Sequence, residues 1–331
     1  MEVKAYYPHL DQLKGLAILL MVMGHGLAWS YPDYSFLFQK MESMTPEIFN
    51  ASIIWKVIYS FHMPLLFFVS GFLFYKSGIS WTFSSVKRLL SKRTKRLLIP
   101  YMITGWAVLF LKGYFGYWFF IVLFVLNIIV LCELFILEKC KSSIVGEVIA
   151  HASLFAMLLL ASKLYNVYLP KSLSNLSNIS SYYFVFILGY MINKYKRLDK
   201  LVRRDIVSLI CLLCYIVLMI IMMYYGYLSN LSVLIPISAI LFLYHMSFNS
   251  KSVILRMISS YSMEIYVFHL FFLSPIQEVG IYIINISNFP ISITIQLTYS
   301  LIISTIAIFF SIISAKVIKS NHLLSQLIFG K

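Results

Sequence analysis

The chain has 331 residues, 61% of them hydrophobic and only 12% charged, with 27 Lys and Arg against 12 Asp and Glu for a net charge of +15. Soluble domains run near 45–50% apolar and ~25% charged, so this composition excludes a soluble globular protein and indicates one built into a membrane. The basic excess does not imply nucleic acid, because it follows the connections between apolar runs, and no nucleic-acid partner is expected.

Ten apolar runs reach spanning or near-spanning length: residues 12–29, 53–75, 97–111, 117–137, 144–161, 181–193, 206–225, 231–248, 258–284 and 291–317. With the N-terminus placed inside, 22 of the 27 basic residues fall on the cytoplasmic side, in the N-terminal stretch with Lys14, the connections 76–96, 138–141, 194–204 and 251–256, and the tail. The outer side keeps Lys40, Lys56, Lys112, Lys163 and Lys171, and every alternate connection obeys the positive-inside rule. The expectation is an all-α polytopic membrane protein of about ten transmembrane helices, N-in and C-in. It is expected to form a single domain over 1–331 with no extramembrane domain and the lipid bilayer as its surroundings. The four cysteines, Cys132, Cys140, Cys211 and Cys214, form no disulfide framework, since the CxxC pair lies inside a continuous apolar run.

Ionisable side chains inside these runs are the functional signals. In the first run, Lys14 and His25 stand eleven residues apart, close to three helical turns, so they share a face about 16 Å long, with Asp11 near the same stripe. In the second, Phe61-His62-Met63-Pro64 places His62 nine residues from the start of a run directed inward. His25 lies thirteen residues up a run directed outward, so both histidines fall at similar depth in the outer half of a ~30 Å core. His269 lies near the middle of the ninth run, with Glu264 about one turn closer to the cytoplasm. A lone intramembrane histidine is commonly an interhelical hydrogen bond, but three on separate helices, converging in depth, mark a site able to take and return a proton. The connection 76–96 ends in Arg93-Thr94-Lys95-Arg96, and two guanidiniums spaced to share a helical face suit a phosphate-bearing ligand.

These motifs together resemble acyltransferase family 3, the integral-membrane O-acyltransferases of surface polysaccharides. The resemblance rests on Leu10-Asp11, Lys14-Gly15 and the Lys14 to His25 spacing, on Arg93-x-x-Arg96 followed by Pro100-Tyr101, and on Trp118-Phe119, Leu188-Gly189-Tyr190 and Ser262-Met263-Glu264-Ile265-Tyr266 with His269. Phe61-His62-Met63-Pro64 with Ser70-Gly71-Phe72 is similar to the branch of fucose 4-O-acetylase-like proteins. Lys14 departs from the arginine common in the family, and a lysine contacts an anion only as a point charge.

The resemblance implies a multi-pass enzyme of the bacterial cytoplasmic (inner) membrane that O-acetylates polysaccharide. It would move an acetyl or similar acyl group from cytoplasmic acyl-CoA to a sugar hydroxyl of a glycan acceptor. Acetyl-CoA is then a substrate, and no permanently bound cofactor or metal is expected, since the histidine spacings carry no metal-ligand motif. His25 is read as the general base or a transient acyl carrier, and His62 or His269 as orienting the acceptor or stabilising developing charge. Arg93 and Arg96, with Lys14 near the inner face, are read as holding the phosphates. Asp11 is assigned a supporting ion pair, and Glu264 either an ion pair or an acceptor contact. The competing class is a proton-coupled transporter of a sugar or lipid-linked glycan, for which buried His and Glu would also serve.

Overall fold

The structure, a computed structural model, describes residues 6–76, 81–113, 116–168, 178–225 and 233–330. Residues 169–177 of the connection after the fifth run, Lys171 included, and the first residues of the eighth run lie outside them. The described residues are helical, with no strand among them. An apolar chain in lipid must satisfy its backbone hydrogen bonds within each segment, which helices do.

In chain order the helices are α1 (Pro8–Ala28), α2 (Pro46–Phe72), α3 (Phe83–Arg93), α4 (Ile99–Lys112), α5 (Trp118–Lys139), α6 (Ile144–Tyr168), α7 (Ile179–Lys194) and α8 (Lys196–Val202). They continue as α9 (Asp205–Tyr225), α10 (Leu234–Ser247), α11 (Val253–Ser260), α12 (Ser262–Phe272), α13 (Gln277–Ile284), α14 (Phe289–Lys319) and α15 (His322–Phe329). Local sequence sets several boundaries. Pro8 opens α1 where its missing N–H costs nothing. Thr82, Ser252 and Asn321 cap α3, α11 and α15 through side-chain oxygens that accept from Ser85, Leu255 and Leu324 N–H.

Each of the ten apolar runs contains helix, but among the described residues six helices are long and apolar enough to cross a bilayer: α1, α2, α5, α6 through Leu164, α9 and α14. The broken pair α12 and α13 makes a seventh if counted as one span. The runs at α4, α7 and α10 form helices of 14, 16 and 14 residues. At ~1.5 Å per residue these reach roughly 21–24 Å, short of a ~30 Å core.

The ninth run differs most from expectation. It is not one helix: a break at Tyr261 separates α11 from α12, and α13 turns 90° away after residues 273–276. Pro275 explains the second break, since it lacks an N–H and disfavours helical backbone at Ser274. The Tyr299 hydroxyl accepts the Ile276 N–H at 2.7 Å, replacing a helical bond lost at the bend. His269 therefore stands three residues from the end of an 11-residue helix rather than midway along a continuous span.

The chain divides into two compact units. Unit 1, Met1–Val69 with Lys196–Ala315, is built around α1, which packs along α11 and touches α10 and α12. Gln12 is bonded to the turn before α11, donating to the Ser252 carbonyl at 3.1 Å and accepting from the Ser250 hydroxyl at 3.2 Å. In the same unit α14 buries a stripe of Ser292, Gln296, Ser300, Ser304 and Ser311, small and polar residues that let helices approach closely in lipid. Gln296 donates to the Asn50 carbonyl at 2.9 Å and so ties α14 to α2. Unit 2, Ser70–Tyr195 with Lys316–Lys331, holds α3 to α7 and α15.

Candidate active site

Unit 1 brings His25 and His269 together. His25 lies in the last two turns of α1, and its Nδ1 is 3.0 Å from Nε2 of His269 on α12. The ring planes differ by 7° and the centroids stand 5.2 Å apart, so the two imidazoles meet edge to edge in one plane. Hydrogen bonds to imidazole nitrogens are strongest in that geometry. His269 is 1% exposed, while His25 is only partly buried.

The partners fix the tautomers. His269 Nδ1 lies 2.8 Å from the Tyr266 carbonyl and 3.1 Å from the Ile265 carbonyl. Carbonyls only accept, so Nδ1 carries the hydrogen, and in the neutral ring Nε2 is then the acceptor. Nδ1–H of His25 must donate to it. The remaining nitrogen of His25, Nε2, then keeps its lone pair, the form a general base requires.

His62 approaches the pair through Tyr59. Its Nδ1–H donates to the Ile58 carbonyl at 2.9 Å, which again leaves Nε2 as an acceptor. The Tyr59 ring meets His62 edge-on at 4.7 Å and His25 at 6.2 Å, and stacks on Trp55 at 4.0 Å. Gly24 makes the room, since a Cβ there would come within 2.7 Å of the Tyr59 ring. Trp29, one turn beyond His25, lies parallel to it with centroids 5.0 Å apart. Pro64 follows two residues after His62 inside α2.

The other end of α1 holds Asp11 and Lys14. Asp11 accepts from the Ser259 hydroxyl of α11 at 2.7 Å and stands 4.0 Å from the Lys14 ammonium. Both side chains are 29% exposed, so the pair contributes little stability of its own. Glu264 is fully buried in α12, five residues before His269.

Arg93 and Arg96 lie in unit 2. Between α3 and α4 the chain widens into a π-helical turn over Thr94–Leu98, where the Thr94 hydroxyl donates to the Leu90 carbonyl at 3.0 Å. Arg93 is half-buried with its guanidinium 5.8 Å from the centre of the Phe74 ring, and Arg96 is exposed. Burial, and then the Arg96 charge beside it, pull the Arg93 guanidinium down to about 10, so it stays cationic at neutral pH. Among the described residues no carboxylate pairs with either arginine. Two like charges held close are an arrangement that a polyanion stabilises. Phe74 also stacks on Trp81, whose other neighbours include a polar cavity of about 340 Å³ bordered by Glu147, Tyr190, Lys141 and Lys194.

The sequence reading passed over one buried network in unit 2. His151 on α6 has Nδ1 2.7 Å from Glu133 of α5 and Nε2 3.6 Å from Glu147, one turn back on α6. Tyr183 of α7 donates to Glu133 at 2.8 Å, and Lys194 and Tyr195 each donate to Glu147 at 2.6 Å. Each is an ionisable group inside an apolar run, Glu133 in the run 117–137 and Glu147 with His151 in the run 144–161, which was the signal available. The network ties α5, α6 and α7 together. His151→Phe leaves two buried carboxylates without the imidazole between them, and losing one partner of a buried ionic group costs roughly 3–5 kcal/mol. Thermal unfolding of the purified variant in detergent is expected several degrees below wild type, and an unchanged transition would show that the network does not hold the unit together.

A model of the acyltransferase family 3, described as an acyltransferase domain, matches residues 7–315. No curated protein and no solved structure matches the chain. The match covers nearly the whole length, including α1 with His25, the Arg93–Arg96 turn and α12 with His269, and the chain belongs to acyltransferase family 3, a membrane acyltransferase.

Proposed function

We propose that this membrane acyltransferase moves an acetyl or similar group from acyl-CoA to a sugar hydroxyl of a cell-surface or lipid-linked glycan, with His25 as general base. The observation that carries the reading is the in-plane bond from His25 to His269, whose tautomer is set by the Tyr266 carbonyl. The acceptor hydroxyl gives its proton to His25 Nε2 while its oxygen attacks the thioester carbon. The tetrahedral intermediate collapses, the C–S bond breaks, and the thiolate of CoA takes the proton back from Nε2. The products are the sugar ester and free CoA, with no net proton change. While His25 is protonated, its Nδ1–H is held by His269 Nε2, which keeps the ring from turning. His62, with Nε2 free to accept, orients the acceptor hydroxyl.

Arg93 and Arg96 hold the donor phosphates in this reading, with Lys14 contributing at the inner end of α1. The 22 to 5 split of basic residues supports ten crossings, N-in and C-in, and so a cytoplasmic donor, in a bacterial inner membrane. The motif around His62 favours an acceptor like that of the fucose 4-O-acetylase-like branch. Charge-assisted hydrogen bonds contribute ~1.5–3 kcal/mol each, so Arg93→Ala and Arg96→Ala are each expected to raise the apparent KM for acetyl-CoA roughly 10- to 150-fold. Lysine at either position should restore only part of that loss, because the forked geometry is gone. A double Ala variant with wild-type KM would reduce the segment to a topology anchor. Mass spectrometry of surface glycan from cells with and without the protein tests the function as a whole. Loss of an acetyl group from a sugar is expected, and unchanged glycan would remove the acceptor assignment.

A further inference from the structure

The C-terminal helix α15 lies in unit 2 with the arginine turn, and its end is built against that turn. Phe329 is fully buried, with the Lys319 ammonium 5.9 Å from its ring centre, and α15 packs on α4. Gly330 follows in a left-handed conformation with φ +63°, its N–H bonded to the Gln326 carbonyl at 2.9 Å. A Cβ at Gly330 would overlap the Lys95 carbonyl and crowd the Arg96 Cα. The contact is with the backbone of the π-helical turn, not with a side chain that could swing away. π-Helical turns are rare and occur frequently at functional sites.

Gly113 offers a natural comparison in the same unit. It ends α4 with φ +78°, and nothing lies within 4 Å of where its Cβ would stand. Alanine at Gly113 meets the left-handed strain alone, whereas alanine at Gly330 meets that strain and displaces Lys95 and Arg96.

We propose that Phe329 and Gly330 are positioning residues: the end of α15 braces the Thr94–Leu98 turn so that Arg93 and Arg96 are presented to the phosphates of the acyl donor. The inference rests on the reading of those arginines as the donor site. A displaced turn leaves the chemistry at His25 intact but loosens donor binding, and misplacement of about 1 Å can cost up to ~10²-fold.

The test uses the full chain in membranes, with acetyl-CoA as the probe and wild type, Gly330→Ala, Phe329→Ala, Gly113→Ala and Arg96→Ala compared. Gly330→Ala and Phe329→Ala are expected to raise the acetyl-CoA KM roughly 10-fold or more while kcat at saturating donor stays within about twofold. Both are also expected to speed tryptic cleavage after Arg93, Lys95 and Arg96. Gly113→Ala should match wild type in both readouts. If Arg96→Ala raises KM but Gly330→Ala and Phe329→Ala do not, the bracing role is wrong and the donor reading stands. If Arg96→Ala itself leaves KM unchanged, the donor reading fails, and the inference falls with it. Faster cleavage in Gly330→Ala and Phe329→Ala with unchanged KM also overturns the inference, since the turn would then have moved without consequence. Loss of folded protein in Gly330→Ala leaves Phe329→Ala to decide on the same two readouts.

Discussion

His25→Gln is expected to lower acyl transfer ~10²–10⁴-fold while leaving the protein folded and in the membrane, the loss typical of removing a positioned general base. Glutamine is the informative replacement. Its amide N–H can still donate to His269 Nε2, which lies 3.0 Å from the present donor, so the contact between α1 and α12 survives. Only the basic nitrogen is lost. The dependence of the residual rate on a histidine-like titration should disappear with it. A His25→Gln protein that acylates at near wild-type rate would leave His25 as a structural hydrogen bond between two helices. The amount of protein in the membrane, measured alongside, separates loss of chemistry from loss of fold.

His269→Phe is expected to have nearly as large an effect, although His269 touches neither substrate in the proposed scheme. It keeps a ring of similar size in a fully packed position but removes the acceptor for His25 Nδ1–H. The His25 ring can then rotate, or move its hydrogen to Nε2 and present a donor where the base should be. Misassigned tautomers in comparable arrangements cost as much as ~10⁴ in kcat. The fall should lie in kcat, with the KM for acetyl-CoA little changed. His269→Gln should retain more activity than His269→Phe, because its Oε1 can accept from His25 while its amide N–H serves the Tyr266 carbonyl. A kcat within about twofold of wild type in His269→Phe would show that His25 is not oriented from α12.

Part of this site was readable from the chain alone. His25, Lys14 and Asp11 stand out because helical periodicity places ionisable groups along one stripe of an apolar run, and the Asp11–Lys14 pair follows from i,i+3 spacing. His269 could be singled out by the same reasoning, but its pairing with His25 depends on how α12 is set against α1, 244 residues away in sequence. Hydropathy also hid the break before α13. Residues 258–284 form one apolar run, and only Ser274-Pro275 signals that the backbone cannot continue as a single helix. The arginine turn was hidden for a related reason. An α-helical spacing gives no sign of the π-helical turn over Thr94–Leu98, where Arg93 is half-buried near Phe74 and Arg96 is exposed, each within reach of the other's charge. Glu147 and His151 stand one turn apart in the run 144–161, but Glu133 lies in the run before it, and only tertiary packing joins the three into a network.

The most direct measurement follows the label from radiolabelled acetyl-CoA in membranes carrying wild type or His25→Gln, with glycan, protein and aqueous fractions separated after quenching. The account predicts alkali-labile label on glycan in the wild type, little in the variant, and none held on the protein in either. Label retained on wild-type protein and absent from His25→Gln would contradict the general-base assignment and make His25 an acyl carrier. Solute uptake without labelled glycan would contradict the account as a whole.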